Sequence, residues 1–264
     1  MPTVAASLVA LAAYAAAVMR SDAGAQALRW ALLVGWAAHG LAIVFDTAGI
    51  GVAAGTRFGF APALSVTLWL VLAVYAVESR FVPLPGMRRV LAGCGAAAVL
   101  LMLLFPGELH PHRDGSGLAP LHWFLGIASY GLFGAAVLHA ALLSNAERQM
   151  RLKRGAVAPK PLGLPLLSLE KLTFRFVAAG FAVLSAALLF GWWFASAWRW
   201  DHKTVFSVLG WGVFAALLIG RHAFGWRGRR ATRWLYTGAA LLLLAYVGSR
   251  FVIEVLLSHR SAAA

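Results

Sequence analysis

Cysteine is almost missing from this 264-residue chain: Cys94 is the only one, and it lies inside an apolar run. A disulfide within the chain, a CxxC pair and a CxxCH haem-attachment site are therefore excluded, and with them thiol oxidoreductase and c-type cytochrome chemistry. Charge is scarce as well, at 12% of residues against about 25% in an ordinary soluble domain. Acids are the scarcer sign, nine Asp and Glu against 23 Lys and Arg, so no chain of intramembrane carboxylates suggests a proton relay. What the chain has in excess is apolar residues, 61% of the total, too many for a water-facing surface to cover. They come in runs near the twenty or so residues that cross roughly 30 Å of hydrocarbon. This is the composition of an integral membrane protein.

The runs predict eight helices, at approximately 3–19, 28–45, 59–77, 90–105, 120–143, 174–195, 205–220 and 234–256. The expected fold is an all-α polytopic membrane protein, an eight-transmembrane-helix bundle forming one transmembrane domain over 1–264. No Lys or Arg precedes the first run while Arg20 and Arg29 follow it, the reverse of a signal peptide, so it is read as a mature helix. With the N-terminus outside, the segments 20–29, 80–89, 148–175 and 221–233 face inward and hold 17 of the 23 basic residues. That bias places both termini on the outer side. It also accounts for the net charge of +14 without nucleic acid, leaving the lipid bilayer as the evident partner. The longest connection, about 146–171, holds Pro159, Pro161 and Pro165 and is too short for a soluble core; its 162–169 stretch is expected along the inner interface.

Histidines are the candidate ligands. His39 lies six residues before Phe45, about 9 Å below the outer end of its helix. At that depth an imidazole is either neutral and bonded to a neighbouring helix or an axial ligand to a buried haem. His122 maps to the outer side, with His110, His112, His202 and His259. His139 is 17 residues beyond His122, roughly 25 Å along one helix, so the two cannot share a haem; it reads as a packed polar residue. The outer surface also concentrates indoles: Trp192, Trp193, Trp198, Trp200 and Trp211 are five of the eleven tryptophans. An aromatic belt enriches Trp at helix ends, but it does not explain a short connection in which Arg199, Asp201 and Lys203 alternate with indoles. Flat apolar faces beside cations suit a planar dianion such as a porphyrin. Asp46, Glu78 and Glu170 read as solvated helix ends, Glu254 as an i, i+4 partner of Arg250, and the arginines at 227–230 as an anchor facing anionic lipid.

The connection Trp-Arg-Trp-Asp-His-Lys-Thr (198–204) followed by Trp211 resembles the W-x-W-D-P-K-E…W motif of the CcsA/CcmC/CcmF-type cytochrome c assembly family, haem-handling membrane proteins. The His-containing stretch 120–130, which ends in a Ser-Tyr pair, resembles the family's helix start upstream of that motif. Ala245–Gly248 resembles its last-helix Tyr-Phe-Gly, and His39 its early membrane histidine. The stretches 58–65, 170–172, 201–205 and 225–231 are similar to the YpjD-type inner-membrane branch, and the likeness runs over nearly the whole chain. His202 stands where synthase-type members have Pro, and Thr204 where they have Glu; their second external and second membrane histidines fall on Leu257 and Ile219.

The resemblance implies a haem-handling protein of a bacterial-type inner membrane, with haem b as cofactor. His39 and His122 are then the iron ligands, with His202 or His259 assisting His122. Trp198 and Trp200 stack on the macrocycle, Arg199 and Lys203 meet propionates, and Asp201 belongs to the same turn. The shortened motif argues against cytochrome c synthase activity and keeps a second reading open: a non-catalytic scaffold or accessory subunit for a membrane protein partner. Transport of a small solute ranks third.

Overall fold

The computed structural model describes residues 2–19, 24–47, 56–79, 85–110, 119–152, 166–194, 200–252 and 255. The long helices among them are α1 (Pro2–Met19), α2 (Ala25–Thr47), α3 (Phe60–Glu78), α4 (Pro85–Leu104), α5 (Ala119–Leu152), α6 (Leu166–Phe194), α7 (His202–Phe224) and α8 (Gly228–Leu243). A π turn, Leu244–Gly248, and a short α9, Ser249–Phe251, follow α8. The first seven each contain a stretch long and apolar enough to cross a membrane. Helices are the form such sequences must take in lipid, where every backbone amide needs a partner within its own segment. The expectation of a polytopic helical membrane protein holds at this level.

Several boundaries differ from the apolar runs, for identifiable reasons. The fifth run, read as 120–143, is the start of a 34-residue α5 that continues through Glu147, Arg148 and Arg151. Ala, Glu, Arg and Leu are good helix formers, so the helix outlasts the apolar stretch. α6 begins at Leu166 rather than 174; the end of the 162–169 stretch expected along the interface is its first turn. The run read as 234–256 is divided into the 16-residue α8, the π turn and α9. Here the Tyr130 hydroxyl donates to the Leu242 carbonyl, at the last turn before the π segment. A side chain inserted into the backbone ladder is a usual cause of such an interruption.

Packing divides the chain into two compact units, residues 1–114 with 247–264, and residues 115–246. In unit 1, α1 packs on α2 and α4, and α3 on α2 and α4. Tyr14, fully buried, is the α1 side chain at the centre: a Cβ on Gly35 or Gly95 would stand 2.7 Å or 2.9 Å from its ring. Two short strands missed in the sequence, β1 (Thr56–Phe58) and β2 (Glu108–His110), pair antiparallel with Arg57 opposite Leu109. Arg57 and Asp46 approach to 3.9 Å, and Glu108 lies 3.6 Å from Arg250. The partner proposed for Arg250, Glu254, is outside the described residues.

In unit 2, α5 packs on α6 and α8, and α7 on α6 and α8. The middle of this unit is apolar: Phe133 stacks on Phe214 at 3.8 Å between centroids, amid Val177, Leu217, Leu235 and Leu242. Glu170 is not a solvated helix end. It forms ion pairs with Arg221 and Arg227 from the far end of α7 and the turn beyond it, and is 12% exposed. Gly225 (φ 61°) and Gly228 (φ 56°) adopt the left-handed backbone that lets α7 turn into α8 within three residues.

Candidate functional site

The end of unit 2 built from the starts of α5 and α7 and the end of α6 holds most of the chemistry. His122, in the first turn of α5, is half-buried, and its Nδ1 lies 2.9 Å from the carbonyl oxygen of Ala187 on α6. A carbonyl only accepts, so Nδ1 carries the proton and donates it. In the neutral ring the lone pair is then on Nε2, and among the described residues nothing bonds to that nitrogen. His122 precedes the apolar span Phe124–Asn145. Burial pushes its pKa down and the charge of Lys203 adds to this, against the Ala187 bond, which raises it. The outcome is a neutral imidazole with one nitrogen fixed by a backbone carbonyl and the other available, the usual preparation of a metal-binding histidine.

Of the connection ahead of α7, the described part begins at Trp200. Asp201 is the N-cap of α7, accepting from the Thr204 amide at 2.8 Å. Slight burial would raise its pKa, but hydrogen bonds from Thr204 and the charges of Lys203 and His202 hold it below the ordinary carboxylate value. Lys203 lies over the ring of Tyr246, 5.4 Å from its centroid. His202 is exposed, and Trp200 is 68% exposed. Trp192 and Trp193, at the end of α6, are also exposed, while Trp211 donates to Ser185 at 2.8 Å. Trp198, Arg199, His112 and His259 lie outside the described residues.

Three stretches singled out in the sequence are therefore joined in one unit. The 120–130 stretch supplies His122 and Tyr130, the 198–204 connection supplies Asp201 and Lys203, and of 245–248 the residues Ala245 and Tyr246 belong to this unit. Gly191 was not singled out. A Cβ there would stand 2.9 Å from Cε1 of His122, so its bare backbone gives the ring its place. Only the residue type at that position could have signalled this, and glycine is common in membrane helices.

His39 belongs to unit 1 and is held differently. It is fully buried, with Nδ1 3.3 Å from the Tyr14 hydroxyl and Nε2 2.7 Å from Ser65 Oγ, which in turn faces Met102 Sδ at 3.4 Å. One residue on each of α1 to α4 contributes to this chain of contacts. Beside it, Trp36 and Trp69 stack at 4.9 Å and exchange hydrogen bonds from each indole to the other's carbonyl. Both nitrogens of His39 are thus engaged by protein, and iron could reach either only by displacing Tyr14 or Ser65. His139 in unit 2 is buried and bonds the Ala135 carbonyl of its own helix at 2.7 Å, in keeping with a packed polar residue. Among the described residues no cluster of three or more His, Cys, Asp or Glu could hold a bare metal ion.

Fold and site together define a polytopic helical membrane protein that presents a prepared imidazole beside exposed tryptophans. The chain belongs to the Cytochrome C assembly protein family, whose model matches residues 25–257. It is 30% identical over 159 residues to the inner membrane protein YpjD of Escherichia coli strain K12, covering 59% of this chain and 60% of that protein. It is also 27% identical over 138 residues to the cytochrome c biogenesis protein CcsA of Gloeobacter violaceus, covering 50% and 38%. The CcsA of Nostoc punctiforme is 31% identical over 123 residues, covering 45% and 34%. These matches span at most 60% of the relatives' own length. No solved structure matches the chain.

Proposed function

We propose that this chain handles haem, as haem b, at the outer end of unit 2, with His122 Nε2 as the iron ligand. The observation that carries this reading is the bond from His122 Nδ1 to the Ala187 carbonyl, which leaves Nε2 as the accepting nitrogen. Membership of the Cytochrome C assembly protein family supports the same ligand class. When bound, haem would supply an iron for imidazole ligation and two propionates. Lys203 and Arg199 offer cations to the propionates, Trp198 and Trp200 offer ring faces, and Asp201 fixes the start of α7 from which Lys203 extends. His202 or His259 would be the candidate to assist His122. His39 serves as a membrane-level ligand only by giving up Tyr14 or Ser65.

The setting is an inner membrane with both termini outside, a placement supported by the 17 basic residues in inward-facing segments. Haemin titration of the detergent-purified chain tests the reading. A Soret band that saturates, and that His122→Ala removes, is expected; protein that stays colourless with haemin overturns it. The second reading, a scaffold for a membrane partner without haem chemistry, is favoured by the full engagement of His39. Co-purification of a partner unaffected by His122→Ala, from a chain that binds no haemin, would establish it.

A further inference from the structure

Ala187 and Gly191 are one turn apart on the same face of α6, and both meet the His122 ring. The Ala187 carbonyl, which in a regular helix faces the Gly191 amide, accepts from His122 Nδ1 at 2.9 Å through its second lone pair. A Cβ built on Gly191 would stand 2.9 Å from Cε1, 3.4 Å from Nδ1 and 3.8 Å from Nε2. The clash falls on the edge of the ring that joins the two nitrogens. Any side chain there must push the imidazole off the helix, and the bond to Ala187 lengthens or breaks with it. Once that bond is gone, the neutral ring relaxes to the Nε2–H form that free imidazole side chains favour, and its lone pair moves to Nδ1.

We propose that Gly191 is the positioning residue of the site: by leaving room for His122 to reach the Ala187 carbonyl, it selects the Nδ1–H tautomer and so keeps Nε2 competent to bind haem iron. The proposal rests on the haem reading for its ligand, but the tautomer is observable without haem. Gly191 touches no reacting atom; it acts through His122. It also explains why α6 carries, one turn from its end, a residue that weakens a helix interior by about 1 kcal/mol relative to alanine.

The test uses the full chain in detergent, with Gly191→Ala, Gly191→Val and, as a control, Gly212→Ala, where a Cβ meets nothing within 4 Å. Nitrogen-15 shifts of labelled histidine, assigned by His122→Gln, report the tautomer; haemin titration reports the ligand. The wild type and the control are expected to hold His122 as Nδ1–H. Gly191→Ala should show a mixture and Gly191→Val the Nε2–H form, with haemin affinity falling about tenfold or more, as for other residues that orient metal ligands. A wild type found as Nε2–H, or variants with unchanged tautomer and unchanged Soret band, would overturn the proposal. Haemin binding that is insensitive to Gly191 leaves the haem reading standing and removes this one. A tautomer that follows the series in a chain that binds no haemin does the reverse. The single methyl of the alanine variant, and the wild-type measurement itself, decide the matter if Gly191→Val does not fold.

Discussion

Each unit buries one helical histidine, and the bonds that hold the two rings differ. In unit 1, His39 bonds outward from its helix, to Tyr14 on α1 and Ser65 on α3. In unit 2, His139 bonds the Ala135 carbonyl of its own helix, and the middle of the unit is held by aromatic and aliphatic packing around Phe133 and Phe214. The ion pairs of unit 2 lie at one end, Glu170 with Arg221 and Arg227, and His122, Asp201 and Lys203 lie at the other. In lipid, association of helices gains little from the hydrophobic effect and relies on close packing and interhelical hydrogen bonds. Unit 1 places its hydrogen bonds where the helices cross, which fixes them but consumes the histidine. Unit 2 fills its middle mainly by apolar packing, and at its end His122 Nε2 meets no partner among the described residues. A histidine in a membrane helix is thus not a haem ligand by position alone; what its second nitrogen is doing decides.

The largest expected effect comes from breaking the unit 1 arrangement. His39→Leu leaves the Tyr14 hydroxyl without its imidazole partner and Ser65 Oγ with only its weak contact to Met102 Sδ. The loss should be about 3 kcal/mol, at roughly 1–3 kcal/mol for each buried group left unpaired. Thermal or denaturant unfolding in detergent measures it, and haemin binding at His122 should be untouched. Equal stability with a lost Soret band would reverse the comparison and make His39 the ligand. Glu170→Gln comes next. Removing one partner of a fully buried pair costs about 3–5 kcal/mol; Arg227 is 58% exposed, so about 2 kcal/mol is expected here, again by unfolding. Tyr130→Phe removes one hydroxyl bond to Leu242 and should cost about 1 kcal/mol. It should also raise amide-exchange protection across the π turn, as the freed carbonyl returns to the helix ladder. No change in protection there would detach Tyr130 from the π turn.

The crossings were legible because apolar runs of membrane length admit only one backbone form. Their ends were not, because charged residues interrupt the runs without interrupting the helices. Glu170 and Lys171 fell at the end of the connection read as about 146–171, yet both lie in α6, and Glu170 tolerates its position because Arg221 and Arg227 meet it from more than fifty residues away. The site divides the same way. His122, Asp201 and Lys203 stand out as residue types in a recognisable order. Asp201 as a helix cap, Tyr14 and Ser65 as partners of His39, and Gly191 beneath His122 depend on which helices lie side by side. No spacing along one chain encodes that.

Asp201 gives an effect no larger than that of Tyr130, with a sign that can be worked out. Its carboxylate caps α7 through Thr204, and its pKa in the folded chain lies below the ordinary value of about 3.9. The cap therefore contributes fully above that ordinary value and is lost as pH falls through the lower, folded one. Asp201→Ala should cost about 1 kcal/mol at neutral pH, and the difference from wild type should vanish in strong acid. Asp201→Asn caps about as well and should be nearly silent in stability at neutral pH. If Lys203 is aligned for a propionate by the start of α7, Asp201→Ala weakens haemin binding where Asp201→Asn does not. Equal haemin affinity in both would mean that the start of α7 does not align Lys203, and that the cap belongs to the fold of unit 2 and not to its site.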